Sequence, residues 1–94
     1  MKFDYEEDSK YQFPFWFTTN ELLTPITMES SMNISEWCSG LFGELGTTWG
    51  YFSSNEKIPV KKGNVTYGKT IKIYSWRFKN KEDAMLFKLT WVGE

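Results

Sequence analysis

The side chains that could carry chemistry are few in this chain. It has no histidine and a single cysteine, Cys38. Nucleophilic catalysis needs a base beside the nucleophile, most often histidine, so Ser-His and Cys-His arrangements are closed to it. Cys38 falls inside an apolar helical stripe, where a thiol acts as a small buried hydrophobe rather than a nucleophile. One cysteine also excludes an intramolecular disulfide and any zinc site built from several cysteines. Paired-carboxylate chemistry needs two acids from separate elements facing one cleft. The acids here gather in an N-terminal group (Asp4, Glu6, Glu7, Asp8) or in the first turns of expected helices, where Glu36 and Asp83 have capping roles. Gly40 and Gly43 lack the lysine and the strand-to-helix setting of a phosphate loop. The expectation is a protein that is not an enzyme, with no cofactor and no metal.

What remains is binding, and the elements that would position a binding surface can be read from periodicity. Met1 to Lys10 reads as a solvated acidic lead-in, ordered or not. Tyr11 to Thr19 reads as a strand with Tyr11, Phe13, Phe15 and Phe17 on one face, and Trp16 outward on the other. Pro14 cannot donate to a ladder, which places that strand at an edge or gives it a bulge. Asn20 to Ser31 reads as a connector. Asn33 and Glu36 fit a capping box opening a helix with the stripe Ile34, Trp37, Cys38, Leu41, Phe42 and Leu45, closed by Gly46. Thr47 to Ser54 reads as a second strand, with Gly50 marking a bulge or a close backbone approach. Asn55 to Lys69 carries four lysines, Pro59 and Gly63-Asn64, and reads as a long loop or hairpin in which 58–61 and 65–67 can pair. Thr70 to Phe78 alternates as a strand with Tyr74, Trp76 and Phe78 in the core and Arg77 outward. Asn80 then caps a helix through Ala84, Phe87 and Trp91, with Gly93 at its close. The rival reading takes Leu86 to Val92 as a final strand.

Strand, helix, strand, strand, helix is an α+β order, expected as a two-layer sandwich with both helices on one face of an antiparallel sheet. It matches the first five elements of a ferredoxin-like arrangement or a truncated relative. The 94 residues suit one domain, and five Trp, eight Phe and five Tyr supply a large apolar payload for so small a body. Residues 1–56 hold nine acids and two bases, whereas residues 57–94 hold nine bases and three acids. The net charge of −1 therefore hides a polarity along the chain, which the fold could segregate or interleave.

The segment Trp76-Arg-Phe78, followed by Lys81-Glu-Asp83-Ala84-Met-Leu-Phe87-Lys88-Leu89-Thr-Trp91, resembles the ending of small tailed-bacteriophage proteins. The resemblance covers about a fifth of the chain, the span of one compact motif. It implies a setting, a small viral protein acting on host or phage machinery or built into the virion, and assigns no residue a role. The expected location is the cytoplasm, since the N-terminus lacks an apolar leader and no apolar run is long enough for a membrane span. The sequons at Asn33 and Asn64 are then chance matches.

The candidate partner-binding residues are Trp16 and Arg77 on the outer sheet face and Lys61, Lys62 and Lys69 around the long loop. The first expectation is binding of a host or phage protein, with exposed aromatics also open to homo-oligomerisation. One alternative is a single-stranded nucleic-acid module using the basic loop and sheet aromatics. Another is a structural virion subunit.

Overall fold

A computed structural model of the chain describes residues 2–20, 22 and 27–92. The sheet is organised by one hairpin. Strands β3 (Trp49–Lys62) and β4 (Val65–Phe78) pair antiparallel without interruption from Trp49↔Phe78 to Lys62↔Val65. A two-residue loop joins them. Gly63 takes φ 63° at its first position while Asn64 stays at negative φ, the pattern of a type II′ turn whose twist suits a hairpin. Gly63→Ala places a Cβ in the left-handed region and is expected to cost about 1–2 kcal/mol locally. Faster amide exchange across 57–69, with unchanged exchange in the core strands, is the result that checks it.

On the other side of β4 lies β2 (Phe15–Asn20), and beyond it β1 (Asp4–Glu7), giving the order β1-β2-β4-β3 with antiparallel neighbours throughout. The acidic lead-in is therefore an edge strand, its four residues exposed. With β1 outside it, β2 is internal. Pro14 does not force it to an edge, because the ladder begins one residue later, at Phe15. Nor is there a bulge at Gly50: the register runs straight through it, and the glycine serves a close approach instead. A Cβ there would meet the Phe52 ring at 3.0 Å and the Phe13 ring at 3.6 Å.

Helix α1 (Met28–Phe42) begins well before Asn33. Its N-cap is Thr27, whose hydroxyl oxygen accepts from the Ser30 N–H at 3.1 Å. Asn33 is an exposed residue within the helix, so the capping box was a coincidence of spacing. The helix stops at Gly43 (φ 91°), three residues before the expected Gly46, and Leu41 and Leu45 are left exposed. Helix α2 (Lys81–Phe87) starts after Asn80 as expected, although the Asn80 side chain donates to Asp83 rather than capping the backbone. It runs on as one π-helical turn, Lys88–Val92, so the final-strand reading fails. The expected closure at Gly93 lies outside the described residues.

One aromatic core joins these pieces. Phe17, Trp49, Tyr74, Trp76 and Phe78 from one sheet face meet Ile34 and Cys38 of α1 and Ala84 and Phe87 of α2. Both helices therefore cover the same face of the sheet, an α+β architecture with an open four-stranded antiparallel sheet. The two ends of the chain's charge are separated: acidic β1 lines one edge and the lysines of β3 line the other. Among the described residues no helix is long and apolar enough to cross a membrane.

Candidate binding surface: the outer sheet face and its arm

The sheet face away from the helices is set by the same alternation that fills the core. Register places Trp16, Arg77 and Gly50 in one cross-strand row, and Thr18, Ser75 and Phe52 in the next. Because Gly50 has no side chain, Phe52 leans over it, and the Arg77 guanidinium is held between two rings. It sits 3.7 Å from the Trp16 ring centroid and 4.2 Å from that of Phe52. The Arg77 Nε donates to Ser75 Oγ at 3.2 Å, which pairs with Thr18 Oγ1 at 3.1 Å. Burial lowers the Arg77 pKa from its ordinary value, opposed by Tyr11 and Glu6. Each ring–cation contact of this partly desolvated kind is worth about 0.5–2 kcal/mol.

Tyr11 and Phe13 belong to this site and not to the core. The chain turns between Asp8 and Pro14, closed by the Asp8 N–H donating to the Pro14 carbonyl at 2.9 Å. That turn carries Tyr11 onto the Trp16 ring, with centroids 4.7 Å apart, and the indole N–H of Trp16 donates to the Phe13 carbonyl. The alternation Tyr11-Phe13-Phe15-Phe17 had put all four on one face. The turn breaks the period, and no residue-level signal short of Asp8 and Pro14 flanking it would have revealed this. Phe52 lies on the face opposite Trp49 and Tyr51, as strand alternation requires, but its contact with Arg77 depends on the cross-strand register.

The three lysines lie elsewhere. Beyond Asn55↔Lys72 the hairpin leaves the rest of the sheet and continues as a two-stranded arm for seven more cross-strand pairs, about 23 Å at strand rise. Its length is reflected in molecular extents of 48 × 29 × 24 Å. Lys62 and Lys69 fall on the same face as Arg77, with Ile58, Val60, Val65 and Tyr67 between them; Lys61 falls on the helix side with Lys57. Among the described residues none of these lysines has an ion-pair partner. The structure thus brings Trp16 and Arg77 into contact and leaves Lys61, Lys62 and Lys69 on the arm. Along β4, Arg77 lies eight residue steps beyond Lys69, about 27 Å.

Cys38 is not set up as a nucleophile. Burial pushes the Cys38 thiol up to about 12, and the side chain is fully enclosed. The folded protein is therefore expected to resist a thiol reagent at pH 8.5 and to react at the free-thiol rate once urea unfolds it. Because the folded thiol keeps its proton where the unfolded one loses it, this group's contribution to stability falls as pH rises from about 9 to about 12. Among the described residues no group of three or more acids and cysteine is placed to hold a metal ion. No protein family matches this chain, and no curated protein or solved structure matches it either.

Proposed function

We propose that this chain is a non-catalytic binding module whose outer sheet face, centred on Trp16 and Arg77, engages another protein. The setting proposed is that of a small phage-type accessory protein acting on a host or phage partner. The observation that carries this reading is the pre-assembled stack, Arg77 held at 3.7 Å and 4.2 Å between Trp16 and Phe52 with Tyr11 behind. Tryptophan, tyrosine and arginine are the types that dominate binding hot spots, and here their rotamers are fixed before any partner arrives. The same stack weighs against base stacking. Trp16 already has Arg77 over its ring and Tyr11 tilted against it, so a nucleobase would have to displace one of these contacts to stack there.

We read the fold as a relative of the ferredoxin-like arrangement. The support is that β2, α1, β3, β4 and α2 follow its first five elements in order, with β4 lying between β2 and β3. The edge place beside β2, which a sixth strand after α2 would take, is filled instead by β1 from the N-terminal side.

The test compares stoichiometric capture from bacterial lysate by the wild type with capture by Trp16→Ala and Arg77→Ala, each first shown to melt as a folded domain. The expected result is a wild-type partner whose retention falls at least about tenfold in each variant, the scale of a hot-spot truncation. Arg77→Lys is expected to restore only part of it, because an ammonium cannot stack as a guanidinium does. Undiminished capture by both alanine variants would count against the site. Retention on immobilised nucleic acid, weakening steeply with salt, would replace this reading with the nucleic-acid one.

A further inference from the structure

The helix side of β3 carries an open groove that the core does not fill. About 420 Å³ in volume, it runs between α1 and the free edge of β3, lined by Met28, Met32, Glu36, Leu45, Trp49 and Tyr51. Met28, Met32 and Leu45 are each more than half exposed. Glu36 is the charged residue among its described lining, and the helix that walls it is acidic. α1 contains Glu29 and Glu36 and no base, and Glu44 follows. The arm is its opposite. On its helix side the cross-strand pairs are Lys57↔Thr70, Pro59↔Gly68 and Lys61↔Thr66: a flat, basic strip of small side chains with Lys57 lying across Gly68. No arm can reach the groove of its own chain, because β3 runs straight from the groove into the arm.

We propose that a second copy of this chain occupies the groove, by reciprocal exchange of arms about a two-fold axis beside Asn55. The axis stands normal to the sheet, so β3 of each copy runs antiparallel to the other and helix sides coincide. Asn55 meets its own counterpart there, Tyr51 faces Pro59 of the second copy, and Trp49 faces its Lys61. Lys57 and Lys61 then lie along the edge of α1 that carries Glu36, their stems on the methionine side chains and their ammonium groups towards the carboxylates. This register sets no like charges directly opposite one another. Pro59 of each copy leaves one edge bond unmade, two in the dimer, which the side-chain contacts must offset.

The arrangement has a consequence for the outer face. Phe52 comes opposite Ile58 of the second copy, whose cross-strand neighbour is Lys69. Lys69 is then about 10 Å from Phe52 across two strand spacings, rather than about 27 Å from Arg77 along its own strand. The two separated halves of the candidate surface become one. The dimer itself rests on the groove and the arm, independently of any partner reading.

Light scattering of the full chain across a concentration series tests it, together with charge reversal. The wild type is expected to be a dimer at high concentration. Lys57→Glu with Lys61→Glu, or Glu36→Lys alone, is expected to weaken the dimer at least about tenfold, since like charges are then opposed. Mixing the two variants restores opposite charge at both arm–groove contacts, and a heterodimer of near wild-type affinity should form. Asn55→Cys should cross-link under oxidant to a covalent dimer, the axis bringing two Cα atoms within disulfide range, while wild type with only buried Cys38 does not. A wild type that stays monomeric at its highest soluble concentration overturns the proposal. So does a dimer indifferent to the reversals. A dimer that behaves as stated but captures no partner leaves this inference standing and removes the proposed function alone.

Discussion

Phe87→Ala is expected to lower the unfolding free energy by about 3–5 kcal/mol, the upper range for deleting a buried ring. The size follows from where the ring sits. Fully buried on the last turn of α2, it touches Phe17 of β2 at a centroid distance of 4.9 Å, Phe78 of β4 at 5.1 Å and Phe3 at 5.6 Å. Trp76 lies at 6.1 Å and Trp37 of α1 at 6.2 Å. Five rings from α1, two strands and the N-terminal segment thus converge on one side chain of α2. Those neighbours are held by their own strands and helices and cannot collapse into the space, so the cavity term is added almost in full to the lost transfer energy. A small domain has about 5–15 kcal/mol in total, so the variant should lose much of its folded baseline. Urea unfolding followed by tryptophan fluorescence checks this, with Phe52→Ala on the solvent-facing side as the contrast expected to cost about 1 kcal/mol or less. A Phe87→Ala loss no greater than the Phe52→Ala loss would mean that the two helices do not share a core with the sheet.

That core was legible in the sequence because its residues repeat at the period of their element. Tyr74, Trp76 and Phe78 alternate, Ala84 and Phe87 follow at helical spacing, and all five are buried. The outward placement of Trp16 and Arg77 came from the same phase, since fixing one face of a strand fixes the other. Their contact was not legible. It depends on the 16↔77 register, which is set by the whole ladder and by the missing side chain at Gly50.

The misreadings have physical reasons of their own. The arm read as a loop or a hairpin pairing 58–61 with 65–67, and it is that hairpin; only its unbroken length was missed, because Lys, Pro, Gly and Asn are poor strand formers that a ladder with a favourable turn still holds by backbone bonds. Asn33 and Thr27 are both competent caps, and what distinguishes them is tertiary. Starting at Met28 buries Ser31 at 2 % exposure and lets its hydroxyl donate to the Met28 carbonyl at 2.9 Å. Leu45 continued the helical stripe on paper, but Gly43 at φ 91° ends the helix first, and the leucine becomes a wall of the groove. The sequence period cannot see a cap that interrupts it.

The cap also sets the second large effect, at Trp49. This residue starts β3 fully buried, and its indole N–H donates to the Gly43 carbonyl at 2.9 Å, while the Thr48 hydroxyl donates to the Phe42 carbonyl at 3.2 Å. Two carbonyls at the end of α1 that have no partner within the helix are thus satisfied by the first residue of the next strand and the residue before it. Trp49→Ala removes the ring from the core and orphans Gly43, and should cost about 3–5 kcal/mol. Trp49→Phe separates the contributions: the ring remains, so the added cost should be about 1–3 kcal/mol for the unpaired carbonyl and the reduced volume. Because the phenyl still walls the groove, its dimerisation should stay within a few-fold of wild type, whereas Glu36→Lys should weaken dimerisation with little change in unfolding free energy. A Trp49→Phe variant as stable as wild type would show that water takes over the Gly43 carbonyl and that burial alone accounts for the residue. Loss of dimerisation in Trp49→Phe without loss of stability would instead place the indole N–H in the contact with the second copy.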